Sequence, residues 1–313
     1  MQTKSPSVLS CVFSSILFII VLFSACSVPS KGNRDGKRPP FAPIAGTDFF
    51  EARRAFDNGL SFDTIGFQQE PIWHIRFVNN DTVLIYSTDV DSMIRFPIYY
   101  DHDSIFHFGT EWFRVKSLDT DSLLFQRLAV QGLRVKEPRS NVYMKFYSER
   151  FIKDSLKTTI DELRKPSKAD TAFIRERVER ANRNPESIDS AFSARHGVEL
   201  TSIDGNLTVE RYEYDEGEEL GKTAAYRYLY PEFDIEIKDV YKEFYYSFSV
   251  LVDEYGKMRV GKFVTSPEFE ESRKRVLQGI IDVYLHNLME IKPGTTLGMP
   301  HSTLIMLHVK GVP

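Results

Sequence analysis

The chain of 313 residues sets 40 Lys and Arg against 44 Asp and Glu, a formal net charge of -4 with a pI near 6.0. That balance excludes the whole-chain basic field that nucleic-acid binders use. Hydrophobic residues at 42% and aromatics at 13% supply real cores, and the length suggests two domains, three at most, at about 150 residues each.

The chain begins MQTKSPSVLSCVFSSILFIIVLFSAC. Lys4 is a positive start, Val8 to Phe23 is an apolar run without a charge, and Ser24-Ala25 places two small residues before Cys26. This reads as a secretion signal over residues 1–25 that ends in a lipobox. Small side chains admit the peptidase, and the Cys26 thiol takes a diacylglyceryl group and becomes the first mature residue. Acyl chains bury about 0.8 kcal/mol per CH2, so two or three hold a protein on a bilayer without a spanning helix. The alternative is an uncleaved signal anchor, since counting through Val28 brings the run to about the 20 residues a spanning helix needs. Phe23 stands where a lipobox usually has Leu. On either reading the bulk of the chain lies outside the cytoplasm. Ser27 after the cysteine, rather than Asp, favours the outer membrane over the inner. Cys11 and Cys26 are the only cysteines, so a cleaved chain keeps no thiol for a disulfide, a metal or catalysis.

Residues 26–47 hold four prolines, three glycines and four Lys or Arg from Ser27 to Thr47, which predicts a flexible tether. Residues 48–147 predict an antiparallel β domain. WHIRFV and TVLIY flank Asn79-Asn80-Asp81 as a hairpin, and MIRFPIYY, SIFHF, EWFRVKS, SLLFQRLAV and VYMKFY follow at about ten-residue spacing. That is the pattern of a meander closing into a small barrel or sandwich, with Pro97 at an edge or bulge. The pairs Asp89/Asp91, Asp101/Asp103 and Asp119/Asp121, with His102 and His107, invite a metal reading. None has the Gly and Glu of a calcium loop, so turn chemistry is the expected role and no metal or cofactor is expected. His74 is expected to face outward from a half-buried strand.

Residues 148–197 predict a helical connector. One helix carries Phe151, Ile152, Leu156, Ile160 and Leu163 up to Pro166; a second starts after Asp170 or Thr171 and stops at Asn184-Pro185; a short third passes Ile188 and Phe192 to Gly197. Residues 198–313 predict an α+β domain. It starts with a hairpin around Asp204-Gly205-Asn206 and an acidic loop from Glu213 to Glu219. YYSFSVLVDEYGKMRVGKFV then reads as strand, tight turn and return strand. Ser266-Pro267-Glu268 opens a helix whose face Phe269, Val276, Leu277, Ile280, Ile281, Tyr284, Leu285 and Leu288 packs on that hairpin. Lys292-Pro293-Gly294 ends it, and Ser302 to Lys310 forms a last strand.

From about residue 229 this β-β-α-β order resembles the C-terminal domain of the TonB family. The matching residues are Tyr230-Pro231, then Val252, Asp253, Gly256 and Lys257 at the hairpin turn, then Lys292, Pro293, Gly294 and Gly298. The resemblance implies a periplasmic module that grips another envelope protein by adding its strand to the last strand of the domain. The partner-binding residues would then be Thr303, Ile305, Leu307 and Val309 on that edge.

The sequence carries no Gly-x-Ser-x-Gly elbow, no His-Glu-x-x-His and no Gly-rich phosphate loop, so no enzyme is expected; a Ser/His/Asp set assembled only in space leaves no such signature. The expected molecule is therefore α+β: an antiparallel meander, a helical connector and a TonB-like domain. Its expected role is that of a non-catalytic envelope lipoprotein, anchored by lipid and facing the periplasm, that binds a protein partner and no nucleic acid. The alternatives are a TonB-type energy transducer with an uncleaved anchor, and a carrier of a small apolar ligand in the N-terminal β domain.

Overall fold

The computed structural model describes residues 38–132, 134–212 and 225–313. Cys26, the signal segment and the acidic loop lie outside the described residues, and no described helix is long and apolar enough to cross a membrane.

The first body is a nine-stranded antiparallel sheet built from β1 (Asp48–Phe56), β2 (His74–Asn79), β3 (Thr82–Ser87), β4 (Ser92–Pro97), β5 (Tyr99–Tyr100), β6 (Ile105–Phe108), β7 (Glu111–Leu118), β8 (Ser122–Leu128) and β11 (Val142–Ser148). A minor hairpin, β9 (Val130–Gln131) with β10 (Arg134–Val135), interrupts the series. The sheet order is β4-β3-β2-β1-β11-β8-β7-β6-β5. Its two end strands are consecutive in the chain and separated only by Ile98, so the sheet curls nearly shut. Pro97 ends edge strand β4, where its missing N–H costs no ladder bond. The hairpin at Asn79-Asn80-Asp81 forms as expected.

Alternation along the strands turns phenylalanines inward. Phe49, Phe77, Phe106, Phe108, Phe113, Phe125 and Phe146 are all buried in one cluster. The segment expected as a tether folds in part: Phe41 is fully buried and stacks on Phe77 with centroids 4.3 Å apart, and Ile44 is buried beside it. Two apolar side chains among prolines are enough to plug the open end of the barrel, and Asn80 Oδ1 holds the plug by accepting from the Phe41 and Ala42 amides.

The connector departs further from expectation. Its first helix splits into a π turn, Phe151–Ser155, and α1 (Ile160–Arg164), with Lys157 at φ +51 between them. α2 (Lys168–Arg183) starts three or four residues early because Ser167 and Asp170 form a capping box. Asp170 also accepts from the Ser61 amide and from Arg53. Burial opposes its ionisation, but these bonds outweigh that and hold its carboxyl below the usual range. The third helix is absent. After turns at Ser187 and Ser190 the chain runs extended, because Phe192 is drawn into a third core with Phe62, Ile174, Val178 and Ala181. That core joins barrel, connector and C-terminal unit.

The C-terminal unit holds β12 (Glu199–Ser202), β13 (Leu207–Arg211), the short α3 (Tyr226–Leu229), β14 (Glu232–Ile237), β15 (Phe244–Val252), β16 (Met258–Phe263), α4 (Glu270–Ile280), β17 (Met289–Lys292), β18 (Thr295–Thr296), β19 (Met299–Pro300) and β20 (Thr303–Gly311). The expected β12/β13 hairpin is not one. The turn at Asp204 forms, but β12 pairs with β17 and β13 with β14. The main sheet runs β13-β14-β20-β15-β16, with β14 and β20 parallel. After α4 a π turn, Ile281–Leu285, and a last helical turn to Leu288 continue the helix. Leu277, Ile280, Ile281 and Leu285 pack on the sheet. Phe269 and Val276, expected on the same face, are about half exposed; Phe269 belongs to a 3-10 turn that precedes the helix.

Candidate functional site

β20 is not an edge. It is hydrogen-bonded to β14 on one side and β15 on the other, and Thr303, Ile305, Leu307 and Val309 point into the core with at most 1% exposure. The expected partner-binding residues are thus on the wrong face of a central strand. Both alternating sets of STLIMLHVK contain apolar residues, so periodicity alone did not say which set faces inward. Leu304, Met306, His308 and Lys310 are the outward set.

The true edges are β16 and β13, and they are managed oppositely. On β16 the outward amides of Met258 and Val260 donate to His286 Nε2 and Gln278 Oε1, both at 3.1 Å. Helix side chains stand where another strand would pair. β13 has no such cover among the described residues. Its ladder to β14 uses residues on either side of Val209 and Arg211, as the bond from the Tyr212 amide to the Glu232 carbonyl fixes. The backbone groups of Val209 and Arg211 face away and make no hydrogen bond among the described residues.

The outward face of the sheet carries a polar row across three strands. Ser247 Oγ on β15 lies 2.8 Å from His308 Nδ1 on β20, and His308 Nε2 lies 3.3 Å from Glu232 Oε2 on β14. A carboxylate only accepts, so Nε2 carries the proton and Nδ1 accepts from the serine hydroxyl. The Tyr245 hydroxyl is 3.4 Å from Ser247 Oγ, and Lys310 pairs with Glu236 at 3.5 Å. Residues 232, 247 and 308 meet only through strand order, so no sequence spacing announces them.

This row adjoins a groove of about 490 Å³ at the junction of the three parts of the chain. Ile65, Phe192, Leu229, Leu304 and Met306 give it apolar walls, and Glu232 and Ser249 line the end nearest the row. Arg177 also lines it, with its guanidinium 5.3 Å over the Phe192 ring and bonded to the Thr64 carbonyl. Burial, with Arg180 nearby, pulls its pKa below the ordinary arginine value.

The aspartate pairs act in turns. Asp91 and Asp103 adopt positive φ, and Asp119 Oδ1 accepts from the Asp121 amide. His102 bonds its neighbour Asp101, and His107 packs on Trp112. His74 packs on Phe50 and bonds Asp48. No group of three or more His, Cys, Asp or Glu is placed to hold a metal among the described residues. Sequence reading also missed Glu51, fully buried at the β1 bulge. Its carboxylate accepts two 2.7 Å bonds from Arg54 and the amides of Ile72 and Trp73. This is a structural ion pair with its lone pairs satisfied.

No known protein family, curated protein or solved structure matches the chain.

Proposed function

We propose that the chain is a lipid-anchored envelope protein that faces the periplasm and binds a protein partner by strand addition at β13. The observation that carries this reading is the contrast between the two edges: β16 is sealed by Gln278 and His286, while the outward backbone groups of Val209 and Arg211 on β13 make no hydrogen bond among the described residues. An unsealed edge is a template for an extended segment, which gains main-chain bonds there.

A TonB-like character of the C-terminal unit is part of the proposal. Its support is the run β15, turn, β16, α4, Lys292-Pro293-Gly294, β20, together with the physical need for two of the motif glycines. A Cβ on Gly256 would lie 2.7 Å from the Ile291 carbonyl oxygen, and one on Gly294 would lie 2.5 Å from the Ala194 Cβ. The phenylalanine rings that pack the barrel interior support partner binding over the carriage of a small apolar ligand there. Energy transduction would need an uncleaved anchor and a long spacer, and the barrel and connector stand where that spacer would run.

Val209→Pro removes an outward N–H and no ladder bond to β14. With a photo-cross-linking residue at Arg211 in intact cells, the expectation is a discrete adduct to one envelope protein, reduced at least tenfold by Val209→Pro. An adduct unchanged by the proline, or none at all, would overturn the reading.

A further inference from the structure

We propose that Ser247, His308 and Glu232 form a hydrolytic site for carboxylic esters with an apolar acyl chain, a function beyond partner binding and independent of the β13 edge. The chain of contacts is that of a nucleophile, a base and a group that orients the base: Ser247 Oγ to His308 Nδ1 at 2.8 Å, and His308 Nε2 to Glu232 Oε2 at 3.3 Å. Such a set is recognised by geometry rather than by sequence position. Ser247 is exposed, and the His308 and Glu232 side chains keep about a quarter of their surface, so an ester can reach the nucleophile.

The second observation is the groove beside it. In the sheet register Ser247, His308 and Asp234 form one cross-strand row, and Ser249, Met306 and Glu232 form the next. Strand rise puts the rows about 7 Å apart. The second row is also one end of the 490 Å³ groove, a volume within the roughly 300–1,000 Å³ of small-molecule sites. An acyl chain lying over Met306 toward Leu304 and Ile65 would set its carbonyl carbon at Ser247 Oγ. The Tyr245 hydroxyl, 3.4 Å from Ser247 Oγ, is the side-chain group beside the nucleophile that would donate to the oxyanion.

In the first step Oγ bonds to the acyl carbon while its proton passes to His308 Nδ1. The carbon–oxygen bond to the alcohol then breaks, and the alcohol leaves with that proton. Water attacks the acyl-serine with His308 again taking the proton; the acyl–Oγ bond breaks, a carboxylic acid leaves, and the serine hydroxyl is restored. Ser247 and His308 are the catalytic residues, and Glu232 is a positioning residue that fixes the tautomer.

The test uses the full chain with a fluorophosphonate probe and p-nitrophenyl octanoate. The expected result is labelling at Ser247, located by peptide mass spectrometry. Octanoate turnover should fall by about 10²–10⁴ in Ser247→Ala and His308→Ala, with melting temperatures nearly unchanged because both side chains lie on the outer face of the sheet and outside its apolar core. Glu232→Gln should lower kcat without raising KM, which loss of a merely structural pair would not do. Turnover that survives Ser247→Ala, or a folded wild type with neither label nor turnover above buffer, would overturn the proposal and leave the β13 reading untouched.

Discussion

The His301 imidazole lies flat on the Phe192 ring, with centroids 3.7 Å apart and planes 6° from parallel. Its nitrogens meet the Thr296 hydroxyl at 3.0 Å and the Ser302 carbonyl at 3.1 Å. The carbonyl can only accept, so Nδ1 carries the proton and Nε2 accepts from Thr296. The ring is fully buried and neutral at the joint between connector and C-terminal unit, and burial drives its pKa from 6.5 to about 4. The unfolded chain binds a proton here that the folded chain refuses. The stability that the neutral ring contributes is therefore complete above about pH 6.5 and is lost as pH falls toward 4, by about 3 kcal/mol at 1.36 kcal/mol per unit. Urea unfolding across that window should show the slope in the wild type and lose that part of it in His301→Gln. An equal slope in both would contradict the assignment.

Local signals were legible wherever short-range chemistry decides structure. The Asn79-Asn80-Asp81 hairpin, the ten-residue strand spacing, Pro97 at an edge and the Asp253 turn all follow from residues close in sequence. In that turn Asp253 Oδ1 accepts from the Tyr255 and Lys257 amides at 2.9 Å each. What sequence could not tell was decided by distant partners. β20 looked terminal, yet it became central because β14, some seventy residues earlier, pairs with it in parallel. Phe192 had helical spacing, but Phe62 and His301 offered it a better burial than a helix would. The Ser247–His308–Glu232 row is legible only after that sheet order is known.

Gly256 carries two constraints, φ +81 and an Ile291 carbonyl oxygen 2.7 Å from any added Cβ. Gly256→Ala should therefore cost about 2 kcal/mol or more, since left-handed backbone alone costs a side chain about 1–2 kcal/mol. Gly279, inside α4, has nothing within 4 Å of its Cβ position. Gly279→Ala should stabilise by about 0.8–1 kcal/mol through helix propensity. Opposite shifts in chemical-denaturation midpoint are expected, and a shared sign would refute the distinction between a required and a permissive glycine.

The sealed edge gives a prediction about self-association. Gln278 accepts from the Val260 amide, and its own Nε2 donates to Asp282 Oδ1 at 2.9 Å. Gln278→Leu keeps bulk on α4 but strands a buried N–H, at a cost of about 1–3 kcal/mol. It also exposes part of β16 for pairing with a second copy. Sedimentation should show concentration-dependent dimers in this variant and not in the wild type. A monomeric variant of unchanged stability would mean that the Gln278 contact is not what blunts the edge.

On the proposed reading the anchor decides how the β13 edge would be used, because a lipid and a spanning helix transmit different things. A chain held by acyl groups at Cys26 can present β13 to a partner but has no helix to couple to a motor in the inner membrane. Intact mass of the membrane-extracted protein should therefore show loss of the first 25 residues and a gain of acyl mass. Cys26→Ala should retain the full chain without acylation. With acyl chains burying about 0.8 kcal/mol per CH2, the processed form should stay with membranes through a high-salt wash that strips proteins held by charge alone. An unprocessed, unacylated wild type would instead place a spanning helix ahead of the barrel and make force transmission, rather than static docking, the use to which the open edge is put.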